Sequence, residues 1–99
     1  MTDDVLIERA NGVAIITLNR PNALNALSTN LTRELDAILN DLALDGTLRA
    51  AIITGQGRAF SAGGDLLEFS EQAQSNPRQL IETLAFNQGV LAKLKALKT

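Results

Sequence analysis

Arg58-Ala59-Phe60-Ser61-Ala62-Gly63-Gly64-Asp65-Leu66-Leu67-Glu68-Phe69 is the stretch whose reading decides the fold. Before it lies a strongly apolar run, Ala50-Ala51-Ile52-Ile53-Thr54-Gly55, which reads as a buried strand. After it a helix begins. Asp65 and Glu68 have the spacing of a capping box, with Asp65 accepting from first-turn N–H groups and Glu68 reaching back to the Asp65 N–H. Gly63 and Gly64 therefore lie between a strand and a helix start. Glycine admits positive φ and lets a ligand approach the backbone closely. A free N–H at such a turn can face a carbonyl oxygen that gains negative charge during a reaction. The same glycines would serve a connection that needs them for geometry alone, and spacing by itself favours that reading.

Working toward the N-terminus, the strand Leu48–Thr54 is preceded by a helix. Ser28 is its N-cap and it runs to about Leu44. Leu31, Leu35, Ile38, Leu39 and Leu42 form one apolar stripe, with Arg33, Glu34, Asn40 and Asp41 opposite. Asp45-Gly46 supplies the stop, with Gly46 expected in the left-handed position. Asn19–Leu27 is a loop, since Pro21 cannot join a sheet ladder and its asparagines suit turns. Val5–Arg9 and Val13–Leu18 are strand-forming runs separated by Ala10-Asn11-Gly12, and Asn-Gly between strands signals an antiparallel hairpin. The second strand is apolar at both parities around Ile15-Ile16, so it should be central. A helix joining it to Leu48–Thr54 implies a parallel pair with a right-handed crossover. The expected core is Val13, Ile15, Leu18, Ile52 and Ile53, with Leu35, Ile38 and Leu42 packed on them.

Toward the C-terminus, Leu66–Ala73 is a short helix, broken by Gln74-Ser75-Asn76-Pro77. A new helix starts there, with Asn76 as N-cap, Pro77 first and Gln79 third. Leu80, Leu84, Leu91 and Leu94 mark its stripe, with Ile81, Val90 and Leu97 beside it. Gly89 inside it costs about 1 kcal/mol relative to Ala and points to close packing. Lys93, Lys95 and Lys98 near its end read as a solvated face that suits the helix dipole.

Composition narrows the function classes. Ninety-nine residues make at most one domain, and an apolar fraction of 45% is that of a globular protein. A net charge of -2 gives no electrostatic reason to expect nucleic acid or an anionic membrane as partner. There is no cysteine and no histidine, which removes the commonest thiol nucleophile, general base and metal ligand. The acidic N-terminus lacks the order of a signal peptide, and no apolar run approaches the roughly 18 residues of a membrane span. A cytoplasmic location is the expectation.

The order β-β-α-β-loop-α-α now carries three telling segments. They are Gly12–Leu27, reading GVAIITLNRPNALNAL, the strand Ala50–Gly55, and Ala59–Glu68, reading AFSAGGDLLE. Together they resemble the N-terminal part of the crotonase superfamily, the enoyl-CoA hydratase/isomerase family. The resemblance implies an α/β fold of the crotonase-like ββα spiral type, with residues 1–99 as an incomplete, N-terminal portion. It implies that acyl-CoA thioesters are bound, with two backbone N–H groups holding the thioester oxygen as it becomes enolate-like. By position in the motif, Gly64 supplies the first donor. Ala62, Asp65 and Leu66 line the same loop against the CoA moiety, and Asn22, Ala23 and Leu24 match the other CoA-contacting loop. Asp65 is read as a helix cap rather than a catalytic acid. No separate cofactor and no metal are implied, since CoA arrives as part of the substrate.

Family members are much longer. The second donor, the proton-moving residues and the segment completing a trimer or hexamer lie beyond Thr99 in that pattern. Glu68 and Glu71 are acidic and near the loop, but neither is assigned a catalytic role. The expectation is a fragment of an acyl-CoA-processing enzyme, inactive by itself, with apolar faces of the sheet and last helix left exposed and a tendency to self-associate. The alternatives are a natural short module binding CoA or a partner subunit, and a small α/β domain whose glycines are structural.

Overall fold

The computed structural model describes residues 3–97. The elements run β1 (Val5–Ala10), β2 (Val13–Leu18), a single 3-10 turn (Pro21–Ala23), α1 (Thr29–Ala43), β3 (Ala50–Gly55), α2 (Leu66–Ser75) and α3 (Pro77–Ala96). β1 and β2 are antiparallel and in register from Ala10↔Val13 to Val5↔Leu18. The loop between them is two residues long, with Asn11 at φ 55° and Gly12 at φ 81°. Both values are left-handed, which matches the twist of the flanking strands. β3 pairs parallel with β2, placing Ile53 beside Ile16. The sheet order β1-β2-β3 makes β2 the central strand, as its apolar character requires.

Ser28 caps α1, its hydroxyl accepting from the Leu31 N–H at 3.2 Å. The helix lays Leu31, Leu35, Leu39 and Leu42 against the sheet. On β2 the buried residues are Ala14, Ile16 and Leu18. Each fully buried Leu or Ile contributes roughly 1.5–3 kcal/mol of transfer free energy, so this seam dominates the fold's stability. Leu18 and Ile53 lie on the core face as expected, but Val13, Ile15 and Ile52 do not. Val13 and Ile15 lie on the opposite side from Ile16, and Ile52, paired in register with Ile15, is 51% exposed. β2 is apolar at both parities, so alternation along the strand could not choose the face; the docking of α1 does. The other face, with Leu6, Ile15 and Ile52, is open.

α1 ends without a left-handed Gly46, contrary to expectation. Asp45 turns the chain instead, its carboxylate accepting from the Thr47 N–H at 2.9 Å and the Thr47 hydroxyl at 2.6 Å. β3 spans the apolar run Ala50–Gly55, beginning two residues later than the expected Leu48–Thr54, and α2 reaches Ser75, two residues further than indicated.

α3 starts as the sequence predicts, with Pro77 first and the Asn76 side chain accepting from the Gln79 N–H at 3.2 Å. Its buried face is rotated from the expected stripe. Thr83, Asn87 and Val90 are buried and Leu80 and Leu94 half-buried, while Ile81, Leu84 and Leu91 face outward. Packing on α1 and α2 selects that face, although it carries two polar residues. A Cβ at Gly89 would meet nothing within 4 Å, so close packing does not explain that glycine. Lys93 is not simply solvated: it pairs with Asp36 on α1 at 2.6 Å. Lys98 and the side chain of Lys95 lie outside the described residues. Among the described residues no helix is long and apolar enough to cross a membrane.

Candidate functional site

The connection from β3 to α2 is shaped by a second loop, residues 19–28. Asn25 is its hub. It is fully buried and sits at φ 55°, a conformation that Asn tolerates better than most residues. Its side-chain oxygen accepts from the Arg20 N–H at 2.7 Å. Its side-chain nitrogen donates to the carbonyls of Gln56 at 3.0 Å and Ala59 at 2.8 Å. The chain thus folds back over Gly55, where a Cβ would lie 2.3 Å from the Phe60 carbonyl oxygen and 2.5 Å from that of Ala59.

Beyond this fold-back the two loops clasp each other. The Ala62 N–H donates to the Leu24 carbonyl at 2.9 Å, and the Leu27 N–H donates to the Gly63 carbonyl at 2.6 Å. Ser61 closes the gap between them. Its hydroxyl donates to the Asn25 carbonyl at 2.8 Å and accepts from the Gly63 N–H at 3.1 Å. Gly63 is at φ 87°. Among the described residues the Gly64 N–H has no hydrogen-bond partner. The peptide joining Gly63 to Gly64 is trans, so its N–H points opposite to its carbonyl. Since that carbonyl faces Leu27, the Gly64 N–H is directed away from the 24–27 segment. The Phe69 ring packs against Gly64; a Cβ there would be 2.4 Å from the ring's Cε2.

Asp65 is the N-cap of α2, accepting from the Glu68 N–H at 3.1 Å. Arg20 pairs with it at 3.2 Å and also donates to the Ala26 carbonyl at 2.8 Å. The Glu68 N–H bond holds the Asp65 carboxyl below its ordinary value, burial opposes this, and Arg20 adds to it. Asp65 is therefore ionised at neutral pH and serves as a cap, not as a proton donor. The second half of the expected capping box does not form. Glu68 turns to α1 instead, accepting from the Thr29 N–H at 3.0 Å and from the Thr29 hydroxyl. The unpaired N–H groups and positive dipole end of α1 attract the carboxylate. Glu71 is exposed.

The structure brings the two expected loops together. Leu24, at the end of the 3-10 turn that contains Asn22 and Ala23, touches Ala62 through the backbone, and Gly64 follows two residues on. Leu66 and Ala62 are exposed, and Phe60 and Leu67 add further uncovered apolar surface. A cleft of about 360 Å³ lies beside the first loop, lined by Asp4, Asn19, Arg20, Pro21, Asn22 and Ala23. It does not extend to residues 62–66. Four residues of the site escape the sequence reading: Arg20, Asn25, Ser61 and Phe69. A signal existed for one of them, since Ser61 stands two residues before Gly63, the spacing of a side-chain turn. Among the described residues no group of His, Cys, Asp and Glu is placed to hold a metal ion.

A profile of the enoyl-CoA hydratase/isomerase family matches residues 8–96. The chain belongs to that family, and its fold is the N-terminal part of the crotonase α/β domain. The short-chain-enoyl-CoA hydratase of Clostridium acetobutylicum is 39% identical over 70 residues, covering 70% of this chain and 27% of that protein. The hydroxycinnamoyl-CoA hydratase-lyase of Pseudomonas fluorescens is 36% identical over 80 residues, 81% of this chain and 29% of that protein. The crystal structure of an enoyl-CoA hydratase from Bacillus anthracis superposes with a TM-score of 0.84 at 31% identity, covering 95% of this chain and 36% of that one. The chain thus spans well under half the length of each.

Proposed function

We propose that this chain carries the CoA-binding loops and the first oxyanion donor of an acyl-CoA-processing enzyme. In this reading Gly64 donates its N–H to the thioester oxygen as it gains enolate character. Ala62, Asp65 and Leu66 on one loop, and Asn22, Ala23 and Leu24 on the other, contact the CoA moiety. CoA enters as part of the substrate, and the chain holds no cofactor of its own. The observation that carries the reading is the unpaired Gly64 N–H, aimed away from Leu27 by a clasp of backbone bonds. A donor fixed in this way needs no reorganisation when charge develops. The uncovered apolar side chains of Phe60, Leu66 and Leu67 supply surface for an acyl chain or for a partner subunit in a homo-oligomer.

The 99 residues alone are expected to turn over no enoyl-CoA. One oxyanion donor is worth about 3–4 kcal/mol, against the 8 kcal/mol or more that most enzymes supply. Hydration also needs an acid and a base at the double bond, and the nearby carboxylates are committed: Asp65 to its cap and Arg20, Glu68 to Thr29. The test titrates the isotopically labelled chain with butyryl-CoA and assays it on crotonyl-CoA. The expected result is a shift of the Gly64 amide signal on binding, with no hydration above background. Turnover that Gly64→Pro abolishes would mean that other residues here complete the chemistry; binding that leaves Gly64 unmoved would remove it from the site.

A further inference from the structure

We propose that Ser61 is the positioning residue for the Gly64 donor. This rests on the reading of Gly64 given above. No packing bears on the Cβ side of Gly63: a Cβ there would meet nothing within 4 Å. A glycine so placed reaches negative φ as readily as its observed 87°. Such a flip would swing the Gly63–Gly64 peptide and redirect the Gly64 N–H. Two hydrogen bonds oppose it. Leu27 holds the carbonyl end of that peptide, and Ser61 holds the N–H of Gly63 on the other side of the rotating bond.

The Ser61 hydroxyl is saturated in its donor role, giving its one proton to the Asn25 carbonyl and a lone pair to Gly63. Its anchor is stiff, because Asn25 is fully buried and tied to Arg20, Gln56 and Ala59. Ser61 therefore does two things. It fixes the φ of Gly63, and it spends the Gly63 N–H, which leaves the Gly64 N–H as the free donor of that glycine pair. Acting through a peptide rather than on the substrate, it sets how strongly a thioester carbonyl is polarised, not how tightly CoA is held.

The test uses the unsubstituted chain, Ser61→Ala and Ser61→Thr. Amide exchange of Gly63 is followed without ligand. The carbonyl stretch of butyryl-CoA, carbon-13 labelled at the thioester, is followed by infrared difference spectroscopy. In Ser61→Ala the Gly63 amide should exchange roughly five- to tenfold faster, the effect of one ordinary hydrogen bond. The downshift of the bound thioester stretch should shrink while affinity for the ester is kept. Ser61→Thr, with the same hydroxyl, should restore both. Should Ser61→Ala fail to fold, Ser61→Cys, a weaker donor and acceptor, replaces it and should give intermediate values. Unchanged Gly63 exchange, or a full downshift without the hydroxyl, overturns the proposal. An unsubstituted chain that binds no ester overturns the Gly64 reading itself, and Gly63 exchange then judges the Ser61 bond alone.

Discussion

Two turns of this molecule use a glycine at nearly the same φ, 81° at Gly12 and 87° at Gly63. They are closed differently, although the Gly12 carbonyl also accepts from the distant Arg49 N–H at 2.7 Å. The Asn11-Gly12 turn is closed by its own strands, with Ala10 paired to Val13 immediately beside it. The Gly63-Gly64 turn is held by residues distant in sequence: Ser61 bonds to Asn25, 36 residues away. The first turn costs little loop-closure entropy; the second needs segments about 36 residues apart to meet before its holding bonds can form. The site's geometry is thus borrowed from a neighbouring loop, which is how a rigid scaffold fixes a segment that has no regular structure of its own.

The largest expected effect tests that borrowing. At Gly55 an added methyl group would run into two backbone carbonyls, at 2.3 and 2.5 Å, and the Asn25 side-chain nitrogen at 2.7 Å. Backbone cannot rotate away as a side chain can. Gly55→Ala should destabilise the chain by about 3 kcal/mol, the upper end for overpacking, in a domain whose whole stability is of order 5–15 kcal/mol. Urea unfolding measures the loss. Hydrogen exchange should show the Leu27 and Ala62 amides deprotected before those of the hairpin. Equal deprotection of both regions would break the contrast between the two turns.

A matched pair sharpens it. Left-handed backbone costs an L-residue about 1–2 kcal/mol, and both Gly12→Ala and Gly63→Ala incur that cost. Only Gly12 is also crowded, with the Thr47 carbonyl oxygen and the Arg49 side chain each 2.9 Å from the added atom. Gly12→Ala should cost about 2 kcal/mol and Gly63→Ala about 1 kcal/mol. Equal losses by urea unfolding would show that the hairpin has room to relax.

The same contrast explains what could be read from the residues. The hairpin, the Ser28 cap, the α1 stripe and the Asn76-Pro77 helix start all depend on neighbours within a few positions, and all are legible. The glycine loop was legible as a motif, but its support was not. Asn25 is one of three asparagines in a loop, and nothing local says that this one reaches Gln56 and Ala59. Glu68 had a local partner available, the Asp65 N–H, yet the start of α1 attracts it more strongly. On α3 the large apolar residues are spread around the helix, so periodicity admitted more than one buried face. Contact with α1 and α2 chose the face with Thr83 and Asn87.

The smallest expected effect compares one carboxylate near each turn. Asp45, beside the hairpin, pairs with Arg9 at 3.4 Å, and Asp65, beside the site, pairs with Arg20 at 3.2 Å. Both are held below their ordinary value: Asp45 chiefly by the Thr47 hydroxyl and N–H, Asp65 chiefly by the Glu68 N–H with Arg20 adding to it. A depressed value means that the folded chain favours the ionised form. The stability gained is present above the unfolded value near about 3.9 and is lost as pH falls through the lower folded value. Only the difference between folded and unfolded states counts, however. Thr47 is two residues from Asp45, so that turn can persist in the unfolded chain and cancel. Arg20 is 45 residues from Asp65 and is lost on unfolding; Arg9, 36 residues from Asp45, is lost too but is the smallest contribution to that group. Asp65→Asn, which keeps a good N-cap, should therefore flatten the acid limb of the stability curve below about pH 4. Asp45→Asn should leave it nearly unchanged, with both variants flat between neutrality and about pH 5. Urea unfolding across that range gives the comparison. A larger flattening from Asp45→Asn would mean that the Thr47 turn forms only in the folded chain, and that the hairpin end is no more self-sufficient than the site.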